Sequence, residues 1–200
     1  TAEDEESYDK LSDLGWRQSR WLGEHLRSHE DGFDLILCGL LTRHKETAEA
    51  MGITPHRFDA RLNELDYFNL SAALEAARGI KRPDGAGFSD HMPMVMEAWH
   101  AAEIQGQESF AAFETRIRHV LAEAQQPGKR VLCVTSGGVV GMVLRHLLNL
   151  DPRRMAHILL PIYNTSLHRV AVRPEGAMLS GFNATPHLDH PDRRHAKTHY

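Results

Sequence analysis

Two short runs constrain this chain more than anything else in it. Residues 33–38 (FDLILC) and 130–135 (RVLCVT) are nearly continuous in apolar side chains instead of alternating with polar ones. A segment that short with no polar face reads as a strand buried on both sides, the pattern of a parallel sheet covered by helices. Each run ends in small residues and passes into a helix. Gly39 breaks the first, and Thr42 is placed to cap a helix running to about Met51. The second enters Ser136, Gly137 and Gly138, then a helix bearing Val140, Val143, Leu144, Leu147 and Leu148 that stops at Asp151-Pro152.

The rest of the chain keeps the same alternation. Ser12 is predicted to cap a helix with Leu14, Trp21, Leu22 and Leu26 on its apolar face. Ser109 opens an amphipathic helix carrying Phe110, Phe113, Ile117, Val120 and Leu121, ended by Pro127-Gly128. Residues 166–172 and 178–182 read as two closing strands joined at Pro174-Glu175-Gly176. Residues 66–107 are the least regular, with Gly79, Pro83, Gly85, Gly87 and Pro93 around short helical stretches, and read as an insertion over one end of the sheet. The expectation is one α/β domain over residues 1–200.

The totals exclude some classes. A net charge of -4 without a clustered basic face gives no reason to expect nucleic acid. No apolar run is long enough to span a bilayer. Cys38 and Cys133 both sit in apolar runs and read as buried free thiols, which fits a cytoplasmic, reducing location. Residues 1–9 are acidic and polar and read as a loop. His187, His190, His195 and His199 match no zinc spacing and read as a solvated tail, so no metal is expected. His44 is read as a surface residue pointing away along its helix.

Four positions can carry chemistry. The Ser136-Gly137-Gly138 turn lets backbone approach a ligand closely, and the N–H groups opening the next helix favour an anion; small residues at such a junction also serve packing alone. Arg43 in a first helical turn opposes the helix dipole unless it binds something anionic, and its fork suits phosphate; a solvated surface arginine is the plainer alternative. Glu64, just past a strand end, can donate a proton if burial raises its pKa. Asn164, ahead of the closing strands, shapes a turn or faces the same carboxyl end of the sheet.

Taken in order, these segments resemble the histidine phosphatase (phosphoglycerate mutase-like) superfamily over nearly the whole chain. Residues 11–19 (LSDLGWRQS) look like its Leu-Ser/Thr-x-x-Gly-x-x-Gln helix opening. Residues 38–48 are similar to its Ser-x-x-x-x-Arg-x-x-x-Thr-Ala element, with Cys38 where serine is usual. Glu64 follows a Leu-x-Glu pattern, and residues 108–116 (ESFAAFETR) resemble its Glu-Ser-aromatic helix. Ser136-Gly137-Gly138 and Asn164-Thr165-Ser166 follow in the same order. The resemblance implies a three-layer α/β/α sandwich with a mostly parallel sheet and a small helical insertion at 66–107. It also implies phosphoryl transfer through a phosphohistidine, without metal or other cofactor. Arg43, Gly137 and Asn164 would hold the phosphate, and Glu64 and Ser136 would serve catalysis. The substrate would be a phosphorylated small molecule or a phosphoprotein.

Two departures qualify what the resemblance implies. The family's first strand ends in Arg-His-Gly and carries the nucleophile, yet residues 1–10 contain no His, Arg or Gly. The nucleophile is therefore expected N-terminal to Thr1, on a strand that belongs in the middle of the sheet. Ser136 also stands where most of the family has the histidine of His-Gly-Gly. Together these admit a catalytically degenerate phosphate- or phosphoprotein-binding relative. A serine hydrolase using Ser136 with Asp151 and His187 is a further alternative, although TSGGV is not the Gly-x-Ser-x-Gly elbow. Mutase activity is expected less than hydrolysis, because beyond Arg78, Lys81 and Arg82 the insertion has no basic cluster to hold a reorienting intermediate.

Overall fold

The two apolar runs form strands lying side by side. The computed structural model describes residues 9–29, 32–84 and 87–199. Strand β1 (Leu35–Cys38) pairs in parallel with β3 (Val131–Val134), in a register from Leu35 opposite Val131 to Cys38 opposite Val134. A two-residue strand, β2 (Arg57–Phe58), adds in parallel to the other edge of β1, giving the order β2-β1-β3. The helices are α1 (Asp13–His29), α2 (Thr42–Ala50), α3 (Tyr67–Arg78), α4 (Phe88–His100), α5 (Phe110–Ala124), α6 (Gly137–Leu148) and α7 (Pro152–Leu159).

Side chains alternate across a strand, so each face of the sheet has its own core. Leu35, Leu37 and Cys133 pack with Leu70, Leu74, Met96, Phe113, Met142 and Met155 from α3 to α7. On the other face Leu132 packs with Leu22 and Leu26 of α1 and with Met51, while Cys38 and Val134 meet Ala48 of α2. Helices on both faces of a parallel sheet make a three-layer α/β/α sandwich. Leu37, Phe113 and Met142 are fully buried, and each such side chain contributes about 1.5–3 kcal/mol relative to exposure.

Residues 66–107 are more regular than their glycines and prolines suggest. They hold helices of 12 and 13 residues. Met92, Val95, Met96 and Trp99 recur at helical spacing and join the same core as Leu37, so the segment packs into the domain.

Thr42 is the first residue of α2 and not its cap. The capping position is Leu41, which offers no side-chain acceptor. Asp9 acts instead: its carboxylate accepts from the N–H of Thr42 at 3.0 Å and of Arg43 at 3.5 Å. A carboxylate there satisfies orphan donors and complements the dipole.

Burial of the sheet is uneven. Ile36, Leu37 and Val134 are buried, but Leu35, Val131 and Leu132 are only half-buried. The reason is position: Val131 and Leu132 lie on β3, an edge strand among the described residues, and Leu35 opens β1 ahead of the two residues, Leu37 and Cys38, that β2 covers. Strands β4 (Leu167–Arg173) and β5 (Gly176–Ala184) form a separate antiparallel hairpin, turned through Gly176 at φ 132°. Leu167 nevertheless packs in the same cluster as Leu132, over Leu22 and Leu26 of α1. The outer edge of β3 and the start of β4 thus lie over one helix.

The C-terminal segment is not a solvated tail. Its 3-10 turns, Pro186–Leu188 and Pro191–Ala196, bury His187, Leu188 and Ala196. Gln18 of α1 anchors them, donating to the carbonyl of Ala196 at 2.5 Å and to Thr198 Oγ1 at 2.9 Å. A buried amide needs such partners, and here they lie at the far end of the chain. Among the described residues no helix is long and apolar enough to cross a membrane.

Candidate active site

Three loops meet beyond the carboxyl ends of β1 and β3, where ligand sites in open α/β sheets form. Gly39 leaves β1 and donates to the carbonyl of Val134 at 3.0 Å. The loop after β2 is tied in by Leu40 N–H on Asn63 Oδ1 at 2.7 Å and by Thr135 Oγ1 on the carbonyl of Leu62 at 2.7 Å. The third loop is Ser136 and the opening of α6.

Arg43 and Ser136 face each other across this junction. Arg43 Nη2 lies 3.4 Å from Ser136 Oγ, and Nη1 donates to Asp9 Oδ1 at 3.2 Å. Partial burial raises the Asp9 pKa, but the bonds from Thr42 and Arg43 outweigh it and hold the carboxyl below its ordinary value. Asp9 therefore aims the guanidinium as well as capping α2.

Glu64 reaches the same turn from the other side. Its Oε2 accepts from Gly138 N–H at 3.2 Å and its Oε1 from Leu65 N–H at 2.9 Å. Burial pushes its pKa up, against the pull of Arg43, of these two N–H groups and of Arg116. The two glycines of the turn have different reasons. A Cβ on Gly138 would collide with Glu64 Oε1, whereas a Cβ on Gly137 would meet nothing within 4 Å. Gly138 makes room for the carboxyl, and Gly137 faces open space.

Asn164 has other partners. Its N–H donates to the carbonyl of Thr198 at 2.8 Å and its Nδ2 to Thr198 Oγ1 at 3.0 Å. No described contact joins it to Arg43, Glu64 or Ser136.

His44 is the main residue that sequence reasoning misplaced. It is 2% exposed, and its Nε2 lies 2.5 Å from Ser136 Oγ. A Cβ on Gly39 would collide with its ring. Burial, with help from Arg43 and against Asp9, pushes its pKa down to about 3, so the imidazole is neutral. A signal was available: positions 44, 48 and 51 fall on one helical face, and Ala48 and Met51 are its apolar members. Arg116 was visible only as part of a pattern. It donates to Glu108 Oε1 at 2.7 Å and to the carbonyls of Arg61 at 2.7 Å and Asn63 at 2.9 Å, bracing the loop that carries Glu64.

The Ser136-Asp151-His187 triad is not assembled. Asp151 caps α7, accepting from Arg154 N–H at 2.7 Å, and His187 Nε2 lies 2.9 Å from Thr165 Oγ1. Each has a local partner instead of Ser136. Two clefts of about 350 and 320 Å³ open elsewhere, one beside Trp21 and His187 and one beside Arg118 and His146; neither is lined by Arg43, Glu64 or Ser136. Among the described residues no three His, Cys, Asp or Glu side chains converge as a metal set.

The sequence matches the histidine phosphatase superfamily (branch 1) over residues 8–185. The chain belongs to that superfamily. A sequence search of curated proteins finds no match. Solved histidine phosphatases share the fold at low identity. A mutant phosphoserine phosphatase of Entamoeba histolytica bound to phosphoserine is 18% identical, with TM-score 0.63 over 90% of this chain and 86% of its own. An alpha-ribazole phosphatase of Shigella flexneri is 20% identical, with TM-score 0.63 over 88% and 84%. A mycobacterial glucosyl-3-phosphoglycerate phosphatase holding inorganic phosphate is 23% identical, with TM-score 0.59 over 90% of each chain. These three solved relatives are phosphatases, and in this chain the loops bring a guanidinium, a hydroxyl, a helix N-terminus and a carboxyl group to one place.

Proposed function

We propose that this member of the histidine phosphatase superfamily is a metal-independent phosphomonoesterase. Arg43 and Ser136 hold the phosphoryl oxygens, with the N-terminus of α6 behind Gly137. The nucleophile in this reading is a histidine contributed from before Thr1, on a strand between β3 and β4. Support for that placement comes from β3 being an edge strand among the described residues and from Leu132 and Leu167 packing in one cluster with Leu22 and Leu26 of α1. The imidazole nitrogen bonds to phosphorus as the P–O ester bond breaks, and Glu64 gives its proton to the leaving oxygen. Water then attacks the phosphohistidine, and Glu64 takes a proton back. The observation that carries this reading is Glu64: a carboxyl with a raised pKa, bonded to Gly138 two residues from the hydroxyl that Arg43 reaches.

Hydrolysis is favoured over mutase chemistry. In the 66–107 segment Arg78 is taken up by Glu103 and Arg82 stacks on Phe68, which leaves those cations poorly placed to retain a charged intermediate. The substrate is a phosphate monoester of a small molecule or a protein. A cytoplasmic location fits two free cysteines whose thiols burial pushes up to about 11 and about 12.

The replacement of histidine by Ser136 favours a second reading, a phosphate binder without turnover. Full-length protein incubated with a phosphomonoester in EDTA separates the two. Release of phosphate with an acid-labile, base-stable phosphoenzyme supports the esterase. Phosphate binding without turnover supports the binder. Neither binding nor turnover would sink both.

A further inference from the structure

We propose that His44 is a positioning residue that fixes Ser136 as a hydrogen-bond donor to an anion in the site. The inference rests on the phosphate-site reading above, but its central claim, the direction of one hydrogen bond, is tested without phosphate.

A serine hydroxyl has one proton to give and two lone pairs to receive. Arg43 only donates, and its Nη2 at 3.4 Å addresses one lone pair of Ser136 Oγ. His44 Nε2 at 2.5 Å addresses the same oxygen from inside the domain. A neutral imidazole carries its proton on one nitrogen, and the surroundings decide which. His44 Nδ1 is buried and has no partner among the described residues. A proton there would be an orphaned buried donor, a rarer defect than an under-satisfied acceptor. The proton therefore sits on Nε2 and is given to Ser136.

The consequence falls on Ser136. With both lone pairs engaged by donors, its own proton must point elsewhere. Ser136 is the N-cap of α6 and makes no side-chain cap bond, and the adjacent Gly137 borders open space, so an anion at this helix N-terminus is the acceptor proposed for that proton. A hydroxyl free to rotate would spend part of its time accepting; this one is held as a donor to negative charge. The opposite tautomer would draw the hydroxyl proton onto the ring and leave the anion facing a lone pair. His44 thus brings an imidazole to this turn from α2, where the family pattern supplies one from position 136 itself. Gly39 is part of the device, because any side chain there would displace the ring.

The device also explains why Ser136 is not a nucleophile activated by His44. A base must accept the hydroxyl proton, and a ring whose pKa is pushed down to about 3, with no carboxylate on Nδ1, holds it poorly.

Two measurements on the full-length protein test the proposal. Long-range proton–nitrogen correlation spectra read the tautomer directly: protonated Nε2 and bare Nδ1 are expected from about pH 5 to 8. A protonated Nδ1 overturns the proposal whatever the protein does with phosphate. The second is a double-mutant cycle read as affinity for inorganic phosphate. His44→Leu is expected to weaken binding about tenfold, no more than Ser136→Ala does, and His44→Gln, which keeps a donor, to recover most of it. In a Ser136→Ala background His44→Leu should have no further effect. A residue that merely supports the fold would act equally in both backgrounds, and equal effects would refute the proposal. If wild type binds no phosphate, the phosphate-site reading fails, and the proposal's anion-donor role fails with it; the tautomer result then stands by itself as evidence on the His44–Ser136 bond.

Discussion

Arg116 holds Glu64 by its backbone and not by its carboxylate. The guanidinium lies 3.5 Å from the Glu64 carbonyl, closer to the carbonyls of Arg61 and Asn63, and is braced from behind by Glu108. An ion pair with the carboxylate itself would pull its pKa down and spoil a proton donor. Bonding to the carbonyls braces the loop, and although the charge of Arg116 still pulls the Glu64 pKa down, burial outweighs it, as the proposed proton donor requires.

Arg116→Lys should therefore cost catalysis despite keeping the charge, because a lysine cannot reproduce the planar fork. The expected effect is a fall in kcat of about ten- to a hundredfold with a small change in KM, since a misplaced proton donor acts mainly on the transition state. Steady-state kinetics with a poor leaving group checks it. A KM rise with unchanged kcat would contradict the bracing role.

Arg43 should be worth more than Ser136. A charged fork on oxygens that stay negative through the reaction is expected to contribute about 3–5 kcal/mol, against roughly 1.5–3 kcal/mol for one hydroxyl. Arg43→Ala should lower kcat/KM by on the order of a hundredfold or more, and Ser136→Ala by about ten- to a hundredfold. EDTA should change neither enzyme. Metal-sensitive turnover, or a fully active Arg43→Ala, would refute the site.

Glu64 gives a pH dependence with a definite sign. Its folded pKa is raised, so the folded state binds its proton more tightly than the unfolded chain does. The stability it contributes is complete below its ordinary value of about 4.5 and is lost as pH rises through the folded value. The proton needed for the leaving oxygen disappears over the same limb. Glu64→Gln should flatten the fall of Tm over that window and abolish turnover of poor leaving groups, while p-nitrophenyl phosphate, which needs little protonation, should suffer less. Equal loss on both substrates would argue against general acid chemistry.

The paired glycines make a structural control. Gly138→Ala places a methyl group against Glu64 and Leu65, and should lower Tm by the equivalent of about 1–3 kcal/mol. Gly137→Ala meets open space and should leave stability within about 0.5–1 kcal/mol of wild type, or raise it through helix propensity. Thermal melts of both variants decide it, and equal destabilisation would mean that Glu64 does not sit against Gly138.

Much of this protein was determined by its sequence alone. Residues 35–38 and 131–134 carry no polar face, so they had to be strands covered by helices. The ordered series around Arg43, Glu64 and Ser136-Gly137-Gly138 carried the family and most of the residues that now surround one turn. Local patterns express such things because burial and helix capping act between near neighbours. Tertiary structure decided the rest. Asp9 caps α2 from 33 residues away, and His44 meets Ser136 across 92. Asn164 is held instead by Thr198. Hydrogen-bond direction, pKa and the space left for a side chain depend on atoms that only folding brings together, and no spacing along the chain contains them.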